Sequence, residues 1–511
     1  MPELRASIAQ HYHERTKYDP QTIAAKSKPL DWRQQPVPFK EYRIGIPFDL
    51  RSYLQQALDG AADTAAEWWI RLSRLLLCSY GVSGILPTLG EPHYLRAAPS
   101  AGRLYPAELY LISRGTPYLP AGLYNYQARS HVLMHFWESD VWNALQAACF
   151  WHPALDSTQI ALVVSAVFWR STWRYQDRAY RRICLDTGHL LGNLELAGSL
   201  VDFRPHLIAG FIDDAMNELL YLDPDQEGVL AVLPLADRRQ LRENLSLTGS
   251  TLASPTQIDY SDRIPDGELW SSLHTATKIP ATETQVTWQS PTVEPQREDK
   301  YNFPFCLKVP LATAPIAWSE QLKDLEHCLL HRRSTRSYTG EDLSLDELKA
   351  ILDFTYHPEH YLDQDLDPAP DTCDLQPLET FIAISGVSGL EAGCYYYAPQ
   401  AEELRQIRFK NFRPELHFLC LGQELGRDAA AVICHTANLK AAISQYGDRA
   451  YRYLHLDAGH LGQRLNLAAI RLGVGVSGIG GFFDDQVNEV LGIPMDEAVL
   501  YITTLGRPRR P

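Results

Sequence analysis

The chain carries a second version of itself. Residues 174–220 align without a gap on residues 445–491, an offset of 271, and 22 of the 47 positions are identical. The offset persists upstream. Pro99, Leu104, Pro106 and Glu108 fall on Pro370, Leu375, Pro377 and Glu379, and AGLYNY at 121–126 falls on AGCYYY at 392–397. A repeat this long folds twice into one kind of unit. We place an N-terminal extension at 1–39, copy one at 40–240 and copy two at 318–511. The Ser/Thr/Pro-rich stretch 241–317 between them reads as a connector with little core of its own.

Each copy mixes helix and strand. Residues 175–200 and 446–472 lack proline and repeat apolar side chains at helical spacing, including Leu185, Leu190 and Leu194 in one and Leu456, Leu461 and Leu465 in the other. Each predicts one long helix. ELYLIS, IALVVSA, TFIAIS, AAVICH and AVLYITTL are short β-rich runs, and SLDELKAILDFTY predicts a helix capped by Ser344 with Glu347 three residues on. Strands interleaved with helices give an α+β or α/β layered domain.

Lys plus Arg number 47 and Asp plus Glu 62, a net charge of −15. That balance argues against nucleic acid or an anionic membrane as partner. No apolar run is long enough to span a bilayer, and the first residues show no secretory pattern. The nine cysteines are scattered without a C-x-x-C pair, which fits reduced thiols in the cytoplasm better than disulfides or zinc.

Arg332, Arg333, Ser334 and Arg336 form the densest cationic run. Guanidinium forks and a hydroxyl in that spacing suit a phosphate monoester, and a solvated basic turn is the rival reading. Copy one has Ala61-Ala62-Asp63-Thr64-Ala65 at the matching offset, with no arginine. Conversely, Pro99-Ser100-Ala101-Gly102-Arg103 is small enough to let backbone approach a flat ligand, while its counterpart Asp371-Thr372-Cys373-Asp374 is bulkier and acidic. Each copy has kept a different half of something.

GVGVSGIGG, beginning at Gly473, matches a dinucleotide fingerprint in letters only, because a helix rather than a strand precedes it. Gly480 and Gly481 stay open as a turn beside a cofactor or as plain loop. His13 in HYHE reads as structural. Asp186/His189 and Asp457/His460 read as hydrogen-bonded pairs at a helix interface, and no metal site is expected. Asp213-Asp214 and Asp484-Asp485 read as caps of the helices they begin.

Taken together the motifs resemble the nitroreductase superfamily. In copy two the resemblance rests on Arg332–Arg336, SLDELKAIL and GIGGFFDDQVNEVLGIP. In copy one YHERTK, LDWRQQPVPFKEY, RAAPSAGRLYPAELY and DRAYRRICLDTGH resemble the SagB-type, azoline dehydrogenase branch. The resemblance implies an α+β fold with a sheet flanked by helices in each copy, the two copies paired within one chain as a pseudo-dimer, and FMN between the paired domains. Its phosphate would sit on the arginine turn of one domain and its ring edge on the proline-serine loop of the other. Here the complete site joins Arg332, Arg333, Ser334, Arg336, Gly480 and Gly481 of copy two with Pro99, Ser100, Ala101, Gly102 and Arg103 of copy one. The twin site has lost both halves, so one FMN per chain is expected. Azoline oxidases of this kind use a Lys-Tyr pair before the D-R-x-Y-R motif. Here the pair is Arg174-Tyr175, and a permanently charged arginine cannot serve as the base. Tyr175 could carry a proton or simply pack.

The leading expectation is an FMN-dependent oxidoreductase that reduces nitro- or quinone-type small molecules with NAD(P)H, as a cytoplasmic monomer. Two readings stay open beside it: a SagB-like dehydrogenase of azoline or peptide-derived substrates, and a flavin-binding scaffold without turnover.

Overall fold

A computed structural model describes residues 5–26, 29–56, 64–88, 90–240, 249–261, 263–281, 288 and 297–509. The expected β-rich runs are the interior strands of two sheets. In copy one the strands are β1 (Ile46–Asp49), β2 (Ala107–Ser113), β3 (Gly122–Gln127), β4 (Val132–Trp137), β5 (Ile160–Val167), β6 (Phe203–Pro205) and β7 (Glu227–Asp237). In copy two they are β8 (Lys308–Pro310), β9 (Leu378–Ile384), β10 (Gly393–Ala398), β11 (Glu403–Arg408), β12 (Ala431–Ala437), β13 (Gly475–Ile479) and β14 (Ala498–Gly506). The spatial orders are β1-β4-β3-β2-β5-β7-β6 and β8-β11-β10-β9-β12-β14-β13, the same path walked twice. Every neighbouring pair in both sheets is antiparallel. The central strand β12 is buried end to end and β5 up to its last residue, even where Ser165, Cys434, His435 and Thr436 interrupt the apolar run.

Four helices frame the space between the copies: α1 (Ala65–Tyr80), α2 (Ala179–Leu200), α3 (Leu345–Tyr356) and α4 (Ala450–Arg471). Ser344 caps α3 and Glu347 returns the bond to the Ser344 backbone, the capping box expected from the sequence. The repeat-bearing helices α2 and α4 are the spine. They are buried on nearly every face, because each lies between its own sheet and the other copy. They cross at Gly188 and Gly459, which are equivalent under the repeat. A Cβ added at Gly188 would stand 2.1 Å from the Leu456 carbonyl oxygen, and one at Gly459 2.3 Å from that of Leu185. Only glycine permits this approach. One hydrophobic cluster runs through both copies, with Leu190 and Leu194 joining Leu456 and Leu465.

The stretch between the copies carries more buried apolar surface than its composition suggests. A helix at Leu269–Ala276 buries Leu269 and Leu273 against α2 and α4 residues. Asp177 pins its start by accepting from the backbone N–H groups of Gly267 and Trp270 at 2.6 and 3.2 Å. No described helix is long and apolar enough to cross a membrane.

Candidate functional site

Two seams run along the α2–α4 crossing, related by the internal repeat, and the same element forms opposite walls of each. The first gathers most of the residues expected from the sequence.

One wall is the loop Pro99–Arg103 of copy one. Gly102 takes φ of +64°, which lets the chain turn tightly. Ser100 Oγ donates to Asp186 Oδ2 at 2.6 Å and accepts from Tyr105 N–H at 2.8 Å, while Ala101 N–H donates to Asp186 Oδ1 at 3.1 Å. Asp186 on α2 thus clamps the loop. Burial pushes its carboxyl up to about 7 against the pull of those hydrogen bonds. The Tyr175 hydroxyl lies over Gly102, since a Cβ there would be 2.8 Å from Tyr175 Oη and 3.4 Å from Arg174 Cδ.

Arg182 links this wall to the next. Its guanidinium lies 3.7 Å from the centre of the Tyr175 ring, and its Nη2 donates to the Gly480 carbonyl at 3.2 Å. Gly480 and Gly481 come directly after β13, so part of the glycine-rich run is an edge strand rather than loop. Among the described residues, nothing accepts from the N–H groups of Gly480 or Gly481.

Arg332 forms the third side. The turn that carries it is tied to β13 through Thr335, whose N–H donates to Val476 O at 2.9 Å and whose Oγ1 accepts from Val476 N–H at 3.0 Å. From there Arg332 Nε reaches across to the Ala97 carbonyl of copy one at 2.7 Å. Arg333 does the same with the Ser83 carbonyl at 2.9 Å. Arg332 is buried, and among the described residues its Nη1 has no partner and no carboxylate pairs with it. Burial and the neighbouring Arg333 and Arg336 charges pull it down to about 10. Ser334 is half-buried and Arg336 exposed beside it.

The second seam repeats the frame and fills it. Asp457 accepts from the N–H groups of Cys373 and Asp374 at 2.8 Å each, as Asp186 does from Ala101. Tyr446, the twin of Tyr175, donates to Asp374 Oδ2 at 2.8 Å. Asp371 is held by Arg204 at 3.1 Å, His206 at 3.2 Å and the Leu207 N–H at 3.0 Å. Tyr453 stands where the first seam has Arg182, and its hydroxyl donates to the Leu252 carbonyl at 2.8 Å. The N–H groups of Ala209 and Gly210, twins of Gly480 and Gly481, both donate to Ser250 O, at 2.8 and 2.9 Å. The main chain at 250–254 therefore occupies this seam. Of the AADTA segment, residues 61–63 lie outside the described residues, and Thr64 caps α1.

The Asp-Asp pairs are a correction. Neither caps its helix, because both helices start without a side-chain cap. Asp484 is instead buried under Arg178 and Arg181 of the other copy, at 2.8 Å each, and Asp213 under Arg449 and Arg452, at 2.6 Å each. These reciprocal triads close the frame on both sides. His189 behaves as expected at the helix interface, bonding Gln463 and Tyr501 at 2.9 Å each. Asp186 does not, since its partners are on the loop. Buried His13 meets Tyr451 Oη at 3.2 Å. Sequence reasoning missed Arg182, although the repeat marks it: arginine in one copy, tyrosine in the other.

The sequence model of the nitroreductase family matches residues 51–236 and 329–507, one match per copy. A protein from Anabaena variabilis assigned as a nitroreductase, known from its crystal structure, is 66% identical, covers 99% of this chain and 100% of its own, and superposes with a TM-score of 0.94. A protein from Methanocaldococcus jannaschii with the same assignment is 33% identical over 188 residues, 37% of this chain and 92% of its own length. The trifolitoxin-processing protein of Rhizobium leguminosarum bv. trifolii is 29% identical over 144 residues, 27% of this chain and 39% of that protein. With matches to both halves and a frame built twice around one helix crossing, this chain belongs to the nitroreductase family.

Proposed function

We propose that the chain is an FMN-dependent oxidoreductase with one FMN per chain, held in the first seam. The observation that carries this reading is Arg332, a buried guanidinium that reaches across the seam and, among the described residues, has no partner for Nη1 and no carboxylate beside it. Burying such a charge without a counter-ion is costly, so the position calls for an anionic group. The N–H groups of Gly480 and Gly481 and the small loop at Ser100–Gly102 fit a flat, polar-edged ring on the other sides.

FMN, when bound, supplies the hydride and electron transfer. The chain's own residues supply position and charge. Arg332, with Arg333, Ser334 and Arg336 on the same turn, offsets the negative charge of the cofactor. Asp186 fixes the Pro99–Arg103 loop through Ser100 and Ala101. Arg182 holds the Tyr175 ring, leaving its hydroxyl over Gly102 as the group placed to hold or pass a proton. Burial keeps Tyr175 protonated by raising it above the ordinary tyrosine range. NAD(P)H as donor and a nitro- or quinone-type small molecule as acceptor complete this reading.

A second reading, dehydrogenation of azoline or peptide-derived substrates, is favoured by the likeness to a trifolitoxin-processing protein. Against it stands Arg174 in place of the lysine that reading requires. Purified chain should show a flavin spectrum, release FMN on denaturation, and carry close to one flavin per polypeptide. Bleaching on anaerobic mixing with NADH or NADPH supports the reductase. A flavin-loaded protein that neither donor bleaches favours the dehydrogenase or the scaffold. A ratio near two, or no flavin uptake, overturns the single-seam reading.

A further inference from the structure

A second cluster of chemistry-bearing groups lies outside both seams, where α3 ends. The chain leaves α3 through His357, Pro358, Glu359 and His360 in a tight 3-10 turn. This turn brings one ligand atom from each of His357, Glu359 and His360 within 4.8 Å of one another. The two imidazoles stack, with centroids 5.0 Å apart and planes 13° from parallel.

Each ring is oriented from behind. His357 Nε2 pairs with Tyr397 Oη on β10 at 2.9 Å, and the Tyr397 ring is itself stacked on Tyr356 at 4.6 Å. His360 Nδ1 pairs with Asp353 Oδ1 at 2.7 Å, and Tyr361 Oη fixes the other oxygen of that carboxylate at 2.8 Å. One nitrogen of each ring is thus spent on a group rooted in the core. His357 Nδ1 and the Glu359 carboxylate bond each other at 2.9 Å, so an ion between them would take the place of the shared proton, and no described residue bonds His360 Nε2. Carboxylates and hydroxyls behind imidazoles are the outer partners that orient metal-binding histidines. Glu359 and His360 are exposed, which leaves the cluster open to solvent.

We propose that His357, Glu359 and His360 bind one divalent transition-metal ion of the zinc class, with Asp353 and Tyr397 as positioning residues. Two imidazoles and one carboxylate select zinc-like ions over magnesium or calcium, which prefer all-oxygen sites. The remaining positions on the ion would hold water from solvent. Copy one has no counterpart, because α1 there runs into a hairpin, Val82–Leu86 with His93–Arg96. The site shares no residue with the first seam.

The test is titration of tag-free, full-length chain with Zn²⁺ against a chromophoric chelator, with thermal melting as a second readout. One tight Zn²⁺ per chain is expected, raising the melting temperature, with Mg²⁺ and Ca²⁺ unable to displace it. His357→Ala and His360→Ala should each weaken binding at least about tenfold, and Asp353→Asn by about tenfold through the ring it orients. Glu359→Gln, on an exposed side chain that cannot compromise folding, should weaken it similarly. Flavin content and metal-free melting of Glu359→Gln should match the parent. Absence of a tight site in the parent, or unchanged Zn²⁺ affinity in Glu359→Gln and in the His357→Ala/His360→Ala double variant, overturns the proposal.

Discussion

Ser100 Oγ and Asp186 Oδ2 stand 2.6 Å apart, and through that bond a buried carboxyl on the central helix sets the position of a loop on the wall of the seam. Burial raises Asp186 to about 7. In the unfolded chain it ionises near its ordinary value of about 3.9. Between those two values the folded state binds more protons than the unfolded one, so stability must fall as pH rises from about 4 to about 7, and level off above. Asp457, raised to about 6 in the twin seam, adds a slope of the same sign. Asp186→Asn should flatten the decline, and adding Asp457→Asn should flatten it further. Denaturant midpoints across this range measure it, and an unaltered profile in the double variant would refute the assignment.

Arg332→Leu should fold but retain little flavin, a drop of at least about tenfold in bound cofactor, because one point charge and one donor fork are lost together. Arg332→Lys should recover only part, since lysine cannot both reach Ala97 and present a second N–H in a fixed plane. Flavin absorbance per polypeptide after gel filtration reads the difference. Full retention in Arg332→Leu would sink the assignment.

Gly188→Ala places a methyl against the Leu456 carbonyl at 2.1 Å, where nothing flexible can yield. We expect a loss on the order of 3 kcal/mol in unfolding free energy, at the upper end for overpacking. Gly90→Ala, with open space around the added methyl, should be nearly neutral. Equal denaturant midpoints for the two would show that the helices part more easily than their packing implies.

Gly102→Ala and Gly389→Ala pay the same kind of backbone penalty, about 1–2 kcal/mol for a left-handed residue with a side chain. Only Gly102→Ala also meets another residue, Tyr175 Oη at 2.8 Å. Both should melt lower than the parent, while only Gly102→Ala should slow flavin reduction. Equal reduction rates in the two variants would remove Tyr175 from the reacting surface.

Asp213→Asn and Asp484→Asn each leave two buried arginines without a counter-charge. Each should cost about 3 kcal/mol, and by roughly equal amounts if the two triads are true twins. Urea denaturation of both variants tests this. A neutral result for either would mean that water reaches its arginines.

Much of this architecture is legible in the residues alone. The offset of 271 locates both helices of the spine, and Ser344 with Glu347 announces the start of α3, because capping and helical periodicity are local and leave marks within a few residues. The split between an arginine turn and a small-residue loop points to one intact seam. Asp213 and Asp484 mislead for the opposite reason. Their first-turn position is a local signal for capping, whereas their arginine partners lie far away along the chain, on the other copy. Asp186 shows the same limit, since helical spacing beside His189 says nothing about the Ser100 loop that folds over it. The connector holds more structure than its composition suggests because main-chain hydrogen bonds, such as those from Ala209 and Gly210 to Ser250, demand no particular side chains.

The glycine crossing of α2 and α4 has a consequence for how the protein behaves at low abundance. In a dimer built from separate subunits, dilution drives the walls of the seam apart and takes the binding site with them. Here both walls belong to a single polypeptide, so the equilibrium that assembles them is unimolecular. The seam's integrity is the same in one molecule as in a concentrated solution.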